Sequence, residues 1–138
     1  MTETSFQRDL SNIDWAQLKF LLAADRFDNG RSPEQLRASF ENSTATVIAR
    51  DADGRIVGTA RILSDGVCNA YLVDVWTFSE FRRRGIARRM IQSLIEPLRG
   101  QHVYLQADPD NIEFYRRLGF REQPTGMSKV VGRWLKNV

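Results

Sequence analysis

The stretch Val73-Asp74-Val75-Trp76-Thr77-Phe78-Ser79-Glu80-Phe81-Arg82-Arg83-Arg84-Gly85-Ile86-Ala87 constrains the fold more than any other part of the chain. It reads as a buried apolar strand, a short turn, and a loop of three arginines and a glycine that opens a helix. Spacing sets the helix. Ile86, Met90, Ile91, Leu94, Ile95 and Leu98 recur at helical intervals, with Arg88, Arg89, Gln92, Ser93 and Glu96 between them. A helix start leaves its first N–H groups without acceptors, and the positive end of the dipole draws anions to them. Gly85 lets a ligand approach the backbone closely. The arginines add charge-assisted, bidentate donors. This combination predicts a phosphate site, though it has neither the Lys-Ser/Thr ending of a P-loop nor the three glycines of a dinucleotide loop.

Composition narrows the class. A chain of 138 residues, 42% hydrophobic and 27% charged, is long enough to bury a core and too apolar to be disordered. It is expected to form one domain over 1–138. No apolar run approaches membrane-spanning length and the polar N-terminus is no signal peptide, so a cytoplasmic protein without a membrane partner is expected. Cys68 is the only cysteine and His102 the only histidine, which excludes an internal disulfide and argues against a metal site. The net charge is +3, yet Arg82, Arg83, Arg84, Arg88 and Arg89 concentrate positive charge locally. Such a patch suits a small anionic ligand better than nucleic acid.

Along the chain, a short strand is expected around Phe6. A helix starting at Ser11-Asn12-Ile13-Asp14 carries Trp15, Leu18, Leu21 and Leu22 on one face. Ser32-Pro33-Glu34-Gln35 combines an N-cap, a proline at the first helical position and a capping-box glutamine. Between them lies the polar loop Arg26-Phe27-Asp28-Asn29-Gly30-Arg31. The period then changes to that of strands at Thr46 to Arg50, Arg55 to Leu63 and Ala70 to Phe78, with turns at Asp51-Ala52-Asp53-Gly54 and Ser64-Asp65-Gly66. After the Gly85 helix, Val103 to Ala107 reads as a short central strand. Asp108-Pro109-Asp110 caps a helix over Asn111 to Leu118. Arg121 to Gln123 and Lys129 to Trp134 read as a closing hairpin. The order gives an α/β (α+β) protein with a mixed, mostly antiparallel sheet flanked by helices.

Two motifs carry a family resemblance. Arg82-x-x-Gly85-x-Ala87 after a hydrophobic strand resembles the pyrophosphate loop of the GCN5-related N-acetyltransferases (GNAT). Asn111-Ile112-Glu113-Phe114-Tyr115-Arg116-Arg117-Leu118-Gly119-Phe120 resembles that family's second signature, in the right order and place. Together with the element order, the likeness covers nearly the whole chain. Ala107-Asp108-Pro109, Ser64-Asp65-Gly66 and the Asp74-Val75 pair further resemble the plastid-type serotonin or arylalkylamine N-acetyltransferases and their bacterial relatives.

The resemblance implies an acetyl-CoA-dependent N-acetyltransferase fold and activity, with acetyl-CoA as co-substrate and no metal. The acceptor is then the primary amine of a small molecule, with an arylalkylamine among the candidates. A protein lysine or N-terminal amine is the alternative, and a non-catalytic acyl-CoA-binding protein is another. By position in the motifs, the backbone of Val75, Trp76 and Thr77 runs along the pantetheine, and Arg82, Arg83, Arg84, Gly85, Ile86, Ala87 and Arg88 hold the pyrophosphate. Arg83 departs from the family pattern by standing where glycine is commonest, and Ala87 is an accepted variant of the second glycine. Tyr115 takes the place of the general acid at the thioester sulfur. For the base, Asp74 and Asp108 are both open, as is water alone. Alternation puts Asp74 on the side of Leu72 and Trp76, where burial would raise its pKa; the bland readings are a structural ion pair for Asp74 and a helix cap for Asp108. Phe27 and Asp28 lie over the family's acceptor site. Trp76 is either a substrate-facing aromatic or core. The family also contains many dimers, and a homodimer through the strand around Val130 to Trp134 is one assembly it allows.

Overall fold

The computed structural model describes residues 3–135, which divide into one compact unit ending at Leu105 and another beginning at Gln106. The first unit holds a five-stranded sheet in the order β1-β2-β3-β4-β5: β1 (Ser5–Gln7), β2 (Ala45–Arg50), β3 (Ile56–Ser64), β4 (Asn69–Thr77) and β5 (His102–Tyr104). Successive pairs are antiparallel except β4–β5, which is parallel. Among the described residues no helix is long and apolar enough to cross a membrane.

Helix α1 (Trp15–Ala24) begins at Asp14, whose carboxylate accepts from the Gln17 N–H. Helix α2 (Pro33–Glu41) begins with the complete capping box: Ser32 Oγ accepts from Gln35 N–H, and the Gln35 side chain accepts from Ser32 N–H. Leu18, Leu22, Leu36 and Phe40 of these helices form one core cluster with Ile48, Ile56 and Trp76. Helix α3 (Ile86–Ile95) buries Ile86, Met90, Ile91 and Leu94 and lies on β2, β3 and β4. Pro97 loosens its end into a short 3₁₀ turn at Glu96–Leu98, as expected for a residue without an N–H.

One irregularity in β4 decides which residues face which helices. Val73 pairs with Arg61 and Trp76 with Thr59, so β4 spends three steps where β3 spends two. This is a one-residue bulge, and Asp74 within it has φ +55°. A one-residue slip exchanges the two faces of a strand. Leu72 pairs opposite Ile62, but beyond the bulge Trp76 turns to the α1–α2 side, together with Thr59. The simple alternation that joins Asp74 to both Leu72 and Trp76 is therefore corrected: a bulge interrupts it, and the Asp74 carboxylate turns to Arg31 and Arg61.

Two further corrections concern the end of the chain. β5 is shorter than Val103 to Ala107 and lies at the end of the strand order, so it is not central. Among the described residues nothing after Tyr104 is a strand, and 121–135 form an exposed run with a turn at Pro124-Thr125. Met127 is 99% and Val131 88% exposed. Val130, Val131 and Trp134 give the stretch a strand-like composition, but Pro124 lacks an N–H and no partner ladder forms among the described residues. The closing hairpin expected over Arg121 to Gln123 and Lys129 to Trp134 is thus absent from the described residues. In the second unit a 3₁₀ turn at Pro109–Asn111 leads into helix α4 (Ile112–Arg117).

Gly58 lies where β3 meets both β4 and α3. A Cβ added there would sit 3.0 Å from Met90 Cε, 3.1 Å from the Trp76 carbonyl oxygen and 3.3 Å from Ala49 Cβ. The methionine end can yield, but the strand carbonyl cannot. Gly58→Ala is expected to lower stability by about 1–3 kcal/mol, read as a reduced urea midpoint at unchanged slope.

Candidate active site

The parallel pairing of β4 with β5 stops at Tyr71 and Tyr104. Among the described residues no strand pairs with Leu72–Thr77 on that side, which leaves an open backbone edge running toward the arginine loop. Val75 and Thr77 are part-buried along it. Thr77 Oγ1 is buried and has no hydrogen-bond partner among the described residues. Buried hydroxyls without a partner are rare and mark places where a further donor or acceptor belongs.

The edge leads through a 3₁₀ turn at Ser79–Phe81 into the loop. Gly85, the N-cap of α3, is left-handed at φ +77° and has no side chain to cap the helix. Arg89 N–H donates to the Gly85 carbonyl, which is the first rung of the helix. The N–H groups of Ile86, Ala87 and Arg88 precede that rung and have no intrahelical acceptor. Arg83 is also left-handed, at φ +65°. The arginine that stands in the glycine's usual place has therefore taken the glycine's conformation.

The five arginines divide into two groups. Arg82 Nε donates to the Thr77 carbonyl and its Nη2 lies 3.6 Å from the Asp25 carboxylate. Arg84 lies over the Phe81 ring, and Arg89 over that of Phe6. Arg82 and Arg84 thus brace the loop, and Arg89 ties α3 to β1. Arg83 and Arg88 are exposed and have no hydrogen bond or ion pair among the described residues. The exposed uncapped helix start and these two cations are the groups that can meet a diphosphate.

Asp25 fixes the loop from beneath. Its Oδ2 accepts from Trp76 Nε1–H at 2.9 Å and from Ser79 N–H at 2.9 Å. Trp76 is only 1% exposed, in the core cluster with Leu18 and Phe40. A substrate-facing role for the Trp76 side chain is therefore corrected to core packing with a hydrogen-bonded indole. Only its backbone remains on the edge.

Asp74 is likewise part of a buried network. Arg31 grips it with both guanidinium nitrogens, Nη1 to Oδ2 at 2.9 Å and Nη2 to Oδ1 at 3.0 Å, and Arg61 Nε donates to Oδ2 at 2.6 Å. Burial alone would raise its pKa, but the hydrogen bonds and charges of Arg31 and then Arg61 outweigh it and hold the carboxyl below the usual value. The expected rise is reversed. A carboxylate held in this way is a poor proton acceptor for an alkylammonium.

The loop between α1 and α2 is fastened at two points. Lys19 Nζ pairs with Asp28 at 3.2 Å and also donates to the Arg31 carbonyl. Asp28 Oδ1 additionally accepts from Gly30 N–H. The Asp28 carboxylate is thus engaged in holding its own loop, while the Phe27 ring is left 37% exposed.

In the second unit, Tyr115 on α4 meets Phe114 and Phe120 edge-on. Burial, and then the nearby negative charge of Asp108, push its phenol up to about 12. Asp108 is exposed, and its backbone carbonyl accepts from Asn111 N–H. Its side chain makes no capping hydrogen bond, so the capping expectation is corrected: the turn is closed by backbone and by Pro109. Arg116 pairs with both Glu113 and Glu122 on the outer side.

Asp25, Arg31, Arg61 and Thr59 were not singled out in the sequence. A carboxylate in so apolar a strand demands a cation, and Arg61 on the adjacent strand was the one partner within reach of that reasoning.

A model described as the acetyltransferase (GNAT) family matches residues 9–120. Serotonin N-acetyltransferase 2, chloroplastic, of Oryza sativa subsp. japonica is 32% identical over 124 residues, covering 86% of this chain and 62% of that protein. Histone acetyltransferase TAP1 of Glycine max is 36% identical over 86 residues, covering 60% of this chain and 36% of that protein. The chain thus spans less than two thirds of the length of either relative. Among solved structures, the acetyltransferase GNAT family protein SP0256 of Streptococcus pneumoniae TIGR4 matches with a TM-score of 0.76 and 22% identity, covering 96% of this chain and all of that one. That likeness is one of fold.

The strain at Arg83 has a measurable consequence. A left-handed L-residue costs about 1–2 kcal/mol, and glycine gives back part of the gain through its freer unfolded chain. Arg83→Gly is expected to raise stability by about 0.5 kcal/mol in thermal melts.

Proposed function

Because the chain belongs to the acetyltransferase (GNAT) family, we propose that it is an N-acetyltransferase that moves the acetyl group of acetyl-CoA directly to the primary amine of a small molecule. The observation that supports this reading is the open edge of β4, with its orphaned Thr77 hydroxyl, leading to the uncapped start of α3. Those features fit the two ends of a coenzyme A arm: amide groups for a strand edge, and a diphosphate for free N–H groups flanked by Arg83 and Arg88. Acetyl-CoA supplies the activated acetyl group as a thioester.

The remaining chemistry is the chain's own. An alkylamine with a pKa near 10.4 is only about one part in 2,500 neutral at pH 7, so the acceptor must lose a proton. Asp74 is occupied by two arginines, which leaves water, or the exposed Asp108 ahead of the 3₁₀ turn that leads into α4, to receive it. Tyr115 keeps its proton throughout the physiological range because its phenol titrates at about 12. A thiol near 8.5 holds a proton roughly three-thousandfold less tightly than such a phenol. Tyr115 therefore serves as the general acid mainly by donating a hydrogen bond to the developing thiolate, with solvent completing the transfer. Phe27, exposed on its fastened loop, offers an apolar surface to an arylalkylamine.

The likeness to the rice protein favours a small aromatic amine. The likeness to the soybean histone acetyltransferase favours a second reading, in which the acceptor is a protein lysine. A cytoplasmic location remains part of the proposal, although the rice relative is chloroplastic.

Thiol release from acetyl-CoA, measured against alkylamines, arylalkylamines and a lysine peptide, tests the assignment. Turnover with arylalkylamines is expected; turnover with the peptide alone selects the second reading. Tight coenzyme binding without any turnover overturns both. Tyr115→Phe is expected to lower kcat by about 10²-fold while sparing coenzyme affinity. Arg88→Ala is expected to weaken coenzyme A binding by about tenfold at low salt and less at high salt, measured by calorimetry.

A further inference from the structure

We propose that Arg31 is a positioning residue for the acceptor amine: its bidentate grip on Asp74 pins the Phe27–Gly30 loop to the β4 bulge beside the open strand edge. This inference rests on the acetyltransferase reading.

The Phe27–Gly30 loop has few attachments of its own. Arg26 and Phe27 N–H groups donate back to α1, at the Ala23 and Leu22 carbonyls, and close the helix end. From there the chain is held by side chains. Lys19 takes Asp28, and Arg31 closes the loop at its far end. Arg31 Nε donates to Asn29 Oδ1 at 2.9 Å, so the same guanidinium that reaches β4 also braces the loop from within. At 5% exposure it is buried, which is rare for an arginine and is sustained here by a hydrogen bond from each of its three guanidinium nitrogens.

The anchor at the other end is equally fixed. Asp74 is held at its side chain by Arg31 and Arg61, and at its carbonyl by Thr59 Oγ1 at 2.9 Å. Arg61 Nη1 continues to the Ser39 carbonyl and Ser43 hydroxyl at the end of α2. The residue after Asp74 is Val75, which shares the bulge with it and lies on the open edge. Loop and edge therefore share one electrostatic joint, and the Phe27 ring is carried at its outer end. The two arginines do separate work. Removing Arg31 frees the loop but leaves Arg61 on Asp74, so the strand keeps its bulge.

Arg31→Gln separates positioning from general destabilisation. With 2-phenylethylamine as the probe amine at saturating acetyl-CoA, the variant is expected to raise the amine KM by about tenfold, with kcat within about threefold. Coenzyme A affinity is expected to stay within about twofold, because Arg61 still holds the bulge. Hydrogen exchange of the 27–31 amides is expected to quicken while the β2–β3 amides keep their protection. Arg31→Lys retains charge without the planar grip and should recover only part of the KM. Unchanged exchange at 27–31, or coenzyme affinity falling in step with the amine KM, overturns the proposal. A wild-type protein that turns over no amine overturns the acetyltransferase reading instead, while faster loop exchange in the variant still supports the pin.

Discussion

The bulge at Asp74 is the constraint on which the rest of the first unit depends. A straight β4 would send Trp76 to the face that carries Leu72. With one extra residue, the indole enters the core beneath α1 and α2 and its N–H finds the Asp25 carboxylate. Asp25 is then in place to hold Ser79 N–H and to approach Arg82. A single insertion in a ladder thereby aligns a core aromatic, a helix end and the start of the arginine loop. The left-handed backbone of Asp74 is costly for a residue with a side chain. Two guanidinium groups and the Thr59 hydroxyl hold it there. This is the over-determination that a strained residue needs in order to persist.

The arginine loop shows the same division between groups that build a site and groups that remain available to it. Five arginines look equivalent in the sequence. Their partners separate them, since Arg82, Arg84 and Arg89 are engaged with a carbonyl or with aromatic rings, while Arg83 and Arg88 face solvent. An anion-binding helix start works best when its donors are fixed before the ligand arrives, because ordering them at the moment of binding would subtract from affinity. Arg82 and Arg84 are ordered before any such ligand could arrive, while Arg83 and Arg88 are left to solvent.

Much of this was legible in the sequence because it rests on local chemistry. The Ser32 capping box, the Gly85 helix start and the apolar stripe of α3 are each written in adjacent residues, and all three are present. What failed was long-range. No local signal distinguishes a strand with a bulge from one without, so simple alternation joins Asp74 to both Leu72 and Trp76, and the expected direction of its pKa is the wrong one. The partners that reverse that shift lie 43 and 13 residues away. Lys129 to Trp134 fails in the opposite sense: Val130, Val131 and Trp134 are residue types that favour strands, but a strand exists only where another backbone accepts its hydrogen bonds.

The charges around Asp74 also bear on how an acceptor amine would be treated. Two arginines surround one carboxylate, so the buried cluster carries a net positive charge. Positive charge close to an ammonium disfavours the charged form and lowers its pKa. A cluster of this sign would then assist deprotonation of an amine held nearby without accepting the proton itself. A free carboxylate at the same place would do the reverse, stabilising the ammonium and holding the acceptor in its unreactive state. The pairing that makes Asp74 a poor proton acceptor would therefore still suit an amine acceptor, because what such a group would need from its surroundings is a field that makes the proton easy to lose.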